Sequence, residues 1–195
     1  MNVQFNWGTD VLTTLVLDTE ILPNHYEIQV DMITNTTNQS DQLQCFEKIK
    51  FFLSEWLSHA CFVESGTQSF EIISKNFDQR IVELPGPASD LIIGAVLFRK
   101  IYAIIDNLVI LDNLSIRSKL GSGVMYNINN QDNFEELKQL DHSTEHWWDR
   151  PDLSTNSLDE SLLQWSDLEM ETTKDKANKQ KFNPTVITGG KHEHQ

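Results

Sequence analysis

The run His142-Ser143-Thr144-Glu145-His146 is the one stretch whose residue types and spacing could carry out metal chemistry. It has the form His-x-x-Glu-His, which on a helix sets two histidines on one face as zinc ligands and a glutamate as general base. A working centre also needs an open zinc position and a third carboxylate ligand. Glu160, Glu169 and Glu171 lie downstream and could supply it. The surroundings argue the other way. The run follows Asp141 where a helix should end, then meets Trp147-Trp148-Asp149-Arg150-Pro151 within a few residues. Metallopeptidases of this kind also need a much larger domain around the motif. Two solvated or half-packed histidines are therefore the expectation, with no catalytic residue, no metal and no cofactor assigned.

The other nucleophiles and bases are equally isolated. His25 precedes a strand and His59 flanks a core helix, and neither has a sequence-placed Ser, Cys or carboxylate partner. Cys61 lies two residues from His59, and on a helix such neighbours point to different sides, so thiolate activation lacks its geometry. Ser54 and Ser58 sit in no nucleophile elbow. Gly121-Ser122-Gly123 lacks the Gly-Lys-Ser/Thr of a phosphate loop and reads as a hairpin turn. His192 and His194 stand in a polar tail.

Charge is more informative than catalysis. The 195-residue chain carries a net charge of −14. Between Asp132 and Asp175 thirteen Asp and Glu face three Lys and Arg, yet tryptophans and leucines persist at helical spacing. Such a balance argues against nucleic acid or an anionic membrane as a direct partner, since both require a Lys/Arg surface. It favours a protein partner with a basic groove. Ser157-Leu158-Asp159-Glu160 forms a capping box, with the serine at N-cap and the glutamate at N3. A helix over 158–171 would carry Leu158, Leu162, Trp165, Leu168 and Met170 on one side as partner-binding anchors, ringed by acidic residues. Docking of this helix on its own domain is the competing reading. Trp147-Trp148 is expected to pack inward, because adjacent exposed tryptophans are an aggregation liability.

Elements follow from periodicity. Val3 to Trp7, Val11 to Leu17 and Tyr26 to Met32 read as three strands. Phe46, Ile49, Leu53, Trp56 and Ala60 step by three and four, predicting one helix that ends before Gly66. With Cys45 and Cys61 both on it, about 1.5 Å of rise per residue puts them roughly 24 Å apart, beyond the ~7 Å a disulfide spans. Two buried free thiols and a reducing compartment follow. Phe70 to Ser74 and Arg80 to Leu84 read as strands. A core helix over Leu91 to Ile105 begins after Pro85-Gly86-Pro87, with Ser89 or Asp90 as cap. Arg99, Lys100 and Asp106 interrupt it too soon for a membrane span. Leu108 to Leu111, Leu114 to Leu120 and Val124 to Ile128 complete the strands. No basic leader precedes the first apolar run, so no signal peptide is read.

The fold class expected is α+β: a mostly antiparallel sheet with two principal helices on one face, occupying 1–131. An acidic extension spans 132–172, and a polar tail over 173–195 is expected to be disordered. Ile33 to Asn38, followed by Phe46 to Phe52, together with Val82 to Pro85 and Trp147-Trp148, resembles small uncharacterised proteins of T-even-like tailed bacteriophages, of the cyanophage type. The resemblance covers Met32 to Asp149 and implies a phage origin and a host-cytoplasmic setting. It carries no activity and no functional residue across. The expectation is thus a non-enzymatic accessory protein that meets a basic protein surface through its acidic helix. A small metal-dependent hydrolase using His142, Glu145 and His146, a virion structural component and an acidic DNA mimic are the alternatives. Oligomeric state is not indicated.

Overall fold

The computed structural model describes residues 4–18, 20–34, 38–105, 108–129, 146–158 and 164–168. The chain divides into a unit through Trp165 and a second unit from Ser166. In the first, β1 (Gln4–Leu17) and β2 (Glu20–Thr34) form one long hairpin, followed by α1 (Gln39–Phe51) and a π turn (Phe52–Trp56). Then come β3 (Cys61–Glu64), α2 (Gln68–Asn76), β4 (Ile81–Leu84), α3 (Asp90–Ile105), β5 (Val109–Ser118) and β6 (Tyr126–Asn129). The strand order is β4-β3-β1-β2-β5-β6.

The fold is α+β as expected, but the sheet is mixed. β1 pairs with β3, and β3 with β4, in parallel; β2, β5 and β6 add antiparallel neighbours. The β3–β4 pair comes from a β–α–β unit in which Phe70 to Ser74, expected as a strand, belongs to α2. Thr67 caps that helix, its hydroxyl accepting from the Phe70 N–H at 3.2 Å. α2 also lies on the side opposite the two principal helices. Val16, Cys61, Val63 and Ile81 form one cluster with its Phe70 and Ile73, whereas Phe62, one residue out of phase, meets Tyr26 across the other face. Helices therefore cover both faces, not one.

The three expected N-terminal strands are two. β1 continues through Gly8 without a register shift, since alternation survives a residue that lacks a side chain. The expected break inside β5 is a bulge: Asp31 faces Asn113 and Met32 faces Leu111, leaving Asp112 unpaired and exposed. Helix α1 does not reach Ala60. The π turn adds a residue to the winding and buries Phe52 and Leu53 together. His59, at φ 61°, then turns the chain into β3. Cys61 thus lies on a strand, not on α1, and both cysteines are buried and outside any disulfide.

α3 crosses the sheet closely at Gly94, where a Cβ would come within 2.2 Å of Ile128 Cδ1 and 2.8 Å of Ile116 Cγ2. Overpacking of this kind costs about 1–3 kcal/mol. Gly94→Ala is therefore expected to lower unfolding stability by that amount in denaturant titration, despite alanine's better helix propensity. No helix among the described residues is long and apolar enough to cross a membrane.

Candidate functional site: a strap seated on a buried lysine

The segment 146–157 folds back over the first unit as a strap. Trp147, Trp148 and Leu153 are 2%, 4% and 1% exposed, so the tryptophan pair packs inward as expected. Trp147 and Trp148 meet edge to face at 5.6 Å, and His146 stacks on Trp148 at 4.5 Å. Beneath them sits Lys100 of α3, which is 0% exposed.

Lys100 Nζ donates to the Trp147 carbonyl at 3.0 Å and the Arg150 carbonyl at 2.8 Å, and approaches Asp152 Oδ1 at 3.4 Å. Its ammonium also lies 5.6 Å from the Trp147 ring centroid. Burial pulls the Lys100 pKa down to about 8, with Asp152 opposing that shift. Burial alone would raise the Asp152 carboxyl; hydrogen bonds from the Ser154 hydroxyl and N–H, with Lys100 and Arg150 nearby, hold it below its usual value. At neutral pH both groups are charged. Outside this centre, Arg99 pairs with Asp149 at 2.6 Å.

Beyond the lysine, the strap closes the β4 edge. The Trp147 indole donates to the Glu83 carbonyl at 3.0 Å, and the Glu83 N–H donates to the Thr155 carbonyl at 2.9 Å. The Thr155 hydroxyl reaches the Ile81 carbonyl at 2.7 Å, and the Ser157 N–H reaches Glu83 Oε2 at 2.6 Å. Trp56 Nε1 donates to the Leu153 carbonyl at 2.8 Å.

The five anchors predicted for a partner fall into four groups. Leu158 is 61% exposed directly after the Ser157 anchor. Leu162 and Met170 lie outside the described residues. Trp165 opens a short 3-10 turn, Trp165–Asp167. Its ring meets Phe51 at 6.2 Å, Lys48 stands 5.4 Å over it, and its indole donates to the Pro151 carbonyl at 2.6 Å. That one anchor is docked on its own unit. In the second unit, Leu168 is half-buried. His142 and Glu145 also lie outside the described residues, as do His192 and His194. The His146 ring stacks on Trp148, and among the described residues no group of three metal-binding side chains occurs. The Cys61 thiol is pushed up to about 11 by burial, and the buried Tyr26 phenol is raised as well, donating to Asp90 Oδ1 at 3.1 Å.

In the sequence Lys100 stands out only as a charge that interrupts an apolar helix. The missed signal is that a lysine inside such a helix needs a partner, and Asp152 lies in the nearest acidic segment.

No protein-family model matches the sequence, and no curated protein does. Among solved structures, an uncharacterized protein from Wolinella succinogenes is similar at 9% identity with a TM-score of 0.47, over 67% of this chain and 99% of that one. A catalytic-residue mutant of Plasmodium vivax 6-pyruvoyltetrahydropterin synthase is similar at 8% identity with a TM-score of 0.38, over 66% and 97%. At this distance they speak to neither activity nor partner.

Removing one member of a buried pair costs about 3–5 kcal/mol, and here the buried Trp147 and Arg150 carbonyls lose their donor together with Asp152 losing its ammonium partner. Lys100→Met is expected to lose stability on that scale in denaturant unfolding. The pH dependence supplies a second readout. Below about pH 8 the ammonium is protonated in both states and the cost of keeping it dry is borne in full. Between about 8 and the ordinary 10.5 the unfolded chain binds more protons than the folded one, so stability gains a rising component with pH. That component should be present in the parent chain and absent from Lys100→Met.

Proposed function

We propose that the chain is a non-enzymatic accessory protein of phage type that binds a basic protein surface through its segment from Leu158 to Met170. One observation carries this reading. The strap fixes the chain as far as Ser157, and Leu158, the first residue of the acidic, apolar-studded sequence, stands exposed at the next position. Apolar anchors supply affinity, and the surrounding carboxylates steer a Lys/Arg-rimmed groove towards them. Trp165 enters such a complex by exchanging Phe51 and Lys48 for the partner's groups, so it contributes less than an unengaged anchor would. The reading is also supported by where the buried ionisable groups go. Lys100 and Asp152 hold the strap, Tyr26 ties β2 to the start of α3, and Cys61 is packed under α2.

The test is affinity capture from a host lysate with the full chain and with a Leu162→Ala/Trp165→Ala double variant. Capture of a basic protein should weaken as salt rises and vanish in the double variant while the circular dichroism spectrum is retained. Undiminished capture by the double variant overturns the reading.

A further inference from the structure

Unpaired backbone groups gather at sheet edges, and this sheet treats its edges unequally. The strap occupies the outward groups of β4 at Ile81 and Glu83. Where β2 runs past β5 towards the hairpin tip, its odd-numbered residues face outward, as the Lys119 N–H bond to the His25 carbonyl shows. Pro23 removes a donor on that side.

β1 has no such protection over its first half. Its outward side is set by two bonds: the His59 N–H to the Leu12 carbonyl at 2.7 Å, and the Thr14 N–H to the Ala60 carbonyl at 2.9 Å. Even-numbered residues therefore point away from β2. The β1–β2 register has no shift between Gln4 and Leu17, so Gln4, Asn6, Gly8 and Asp10 point the same way. All four are exposed, and their outward N–H and C=O groups have no partner among the described residues. Alongside this edge lies an aromatic shelf on the helix-covered face. Phe5 and Trp7, both half-buried, meet Phe46 edge-on at 6.1 and 5.9 Å.

We propose that this edge pairs antiparallel with the same edge of a second copy of the chain, about a two-fold axis at Trp7. The register follows from the edge itself. Outward residues must face outward residues, and Leu12 is already taken by His59. Gln4 then lies opposite Asp10 of the second copy, and Asn6 opposite Gly8, every one exchanging backbone bonds. Asp10 meets an amide, not its own charge. Trp7 falls at the non-hydrogen-bonded position and meets Trp7 of the second copy, with Cβ atoms about 4.5–5.5 Å apart. The two aromatic shelves thereby cover each other, which an unrelated extended peptide would not do. An isologous contact closes as a dimer and does not propagate. The surface is distinct from the segment proposed to hold a basic partner, and its salt dependence is opposite. Two chains at −14 repel, so pairing should tighten as salt rises.

Sedimentation equilibrium of the full chain from micromolar to millimolar concentration tests this, with hydrogen exchange read at the Asn6, Gly8 and Asp10 amides. The expected result is a monomer–dimer equilibrium that tightens with salt and amides whose protection grows with concentration. Gly8→Pro deletes one outward donor, while its Cβ meets only Gln29 Cγ and the Ile28 carbonyl at 3.4 Å. It should raise the dissociation constant about tenfold or more. A chain that stays monomeric throughout, or a dimer that Gly8→Pro leaves unchanged, overturns the proposal. Should Gly8→Pro fail to fold, concentration-independent exchange at those three amides in the parent chain overturns it alone.

Discussion

Keeping the Lys100 ammonium out of water is the constraint around which the strap is organised. A dry ammonium costs several kcal/mol, and its hydrogen bonds return about 1.5–3 kcal/mol each. The two sides nearly cancel, so the lysine is a poor source of net stability. What it supplies is position. The Trp147 and Arg150 carbonyls and the Asp152 carboxylate satisfy it only when the strap lies in one register. A slip by one residue would leave a buried charge facing apolar atoms. The burial of Trp147, Trp148 and Leu153 supplies the favourable free energy, and the lysine selects which arrangement receives it.

That register has a consequence at the sheet. With Trp147 and Thr155 fixed, the Glu83 carbonyl and N–H both find partners, and β4 ceases to be an open edge. Among the described residues nothing pairs with the outward side of Gln4 to Asp10 of β1, and a half-buried aromatic shelf lies beside it. A chain that closes one edge with a dedicated segment and leaves another open presents a defined surface, not a general stickiness. The acidic, apolar segment begins in sequence where the strap ends, so the two proposed surfaces belong to opposite ends of the sequence.

Much of the architecture was legible from periodicity, and its failures share a cause. The α3 helix and the glycine hairpin after β5 follow from local pattern and turn chemistry, and both occur where expected. Phe70 to Ser74 misled because five residues with Phe70, Ile72 and Ile73 fit a strand as well as a short helix. Only the Thr67 cap, lying outside that window, decides between them. Cys61 to Glu64 was hidden because the apolar run of α1 flows into it without a glycine or proline. The break is made by a π turn and by His59 at positive φ, neither of which composition announces. The tryptophan pair was expected to pack, but its seat on Lys100 depends on residues about fifty positions apart, which no local window joins.

Native-state hydrogen exchange at the Glu83 amide tests most directly whether Lys100 seats the strap. That N–H is bonded to the Thr155 carbonyl, more than seventy residues away in sequence, and Thr155 is not among the groups that hold the lysine. In the parent chain it should be protected. In Lys100→Met it should exchange far faster, while the amides of the β2–β5 pairing keep their protection. Equal protection of Glu83 in both proteins would contradict the account, since the strap would then hold its register without the lysine.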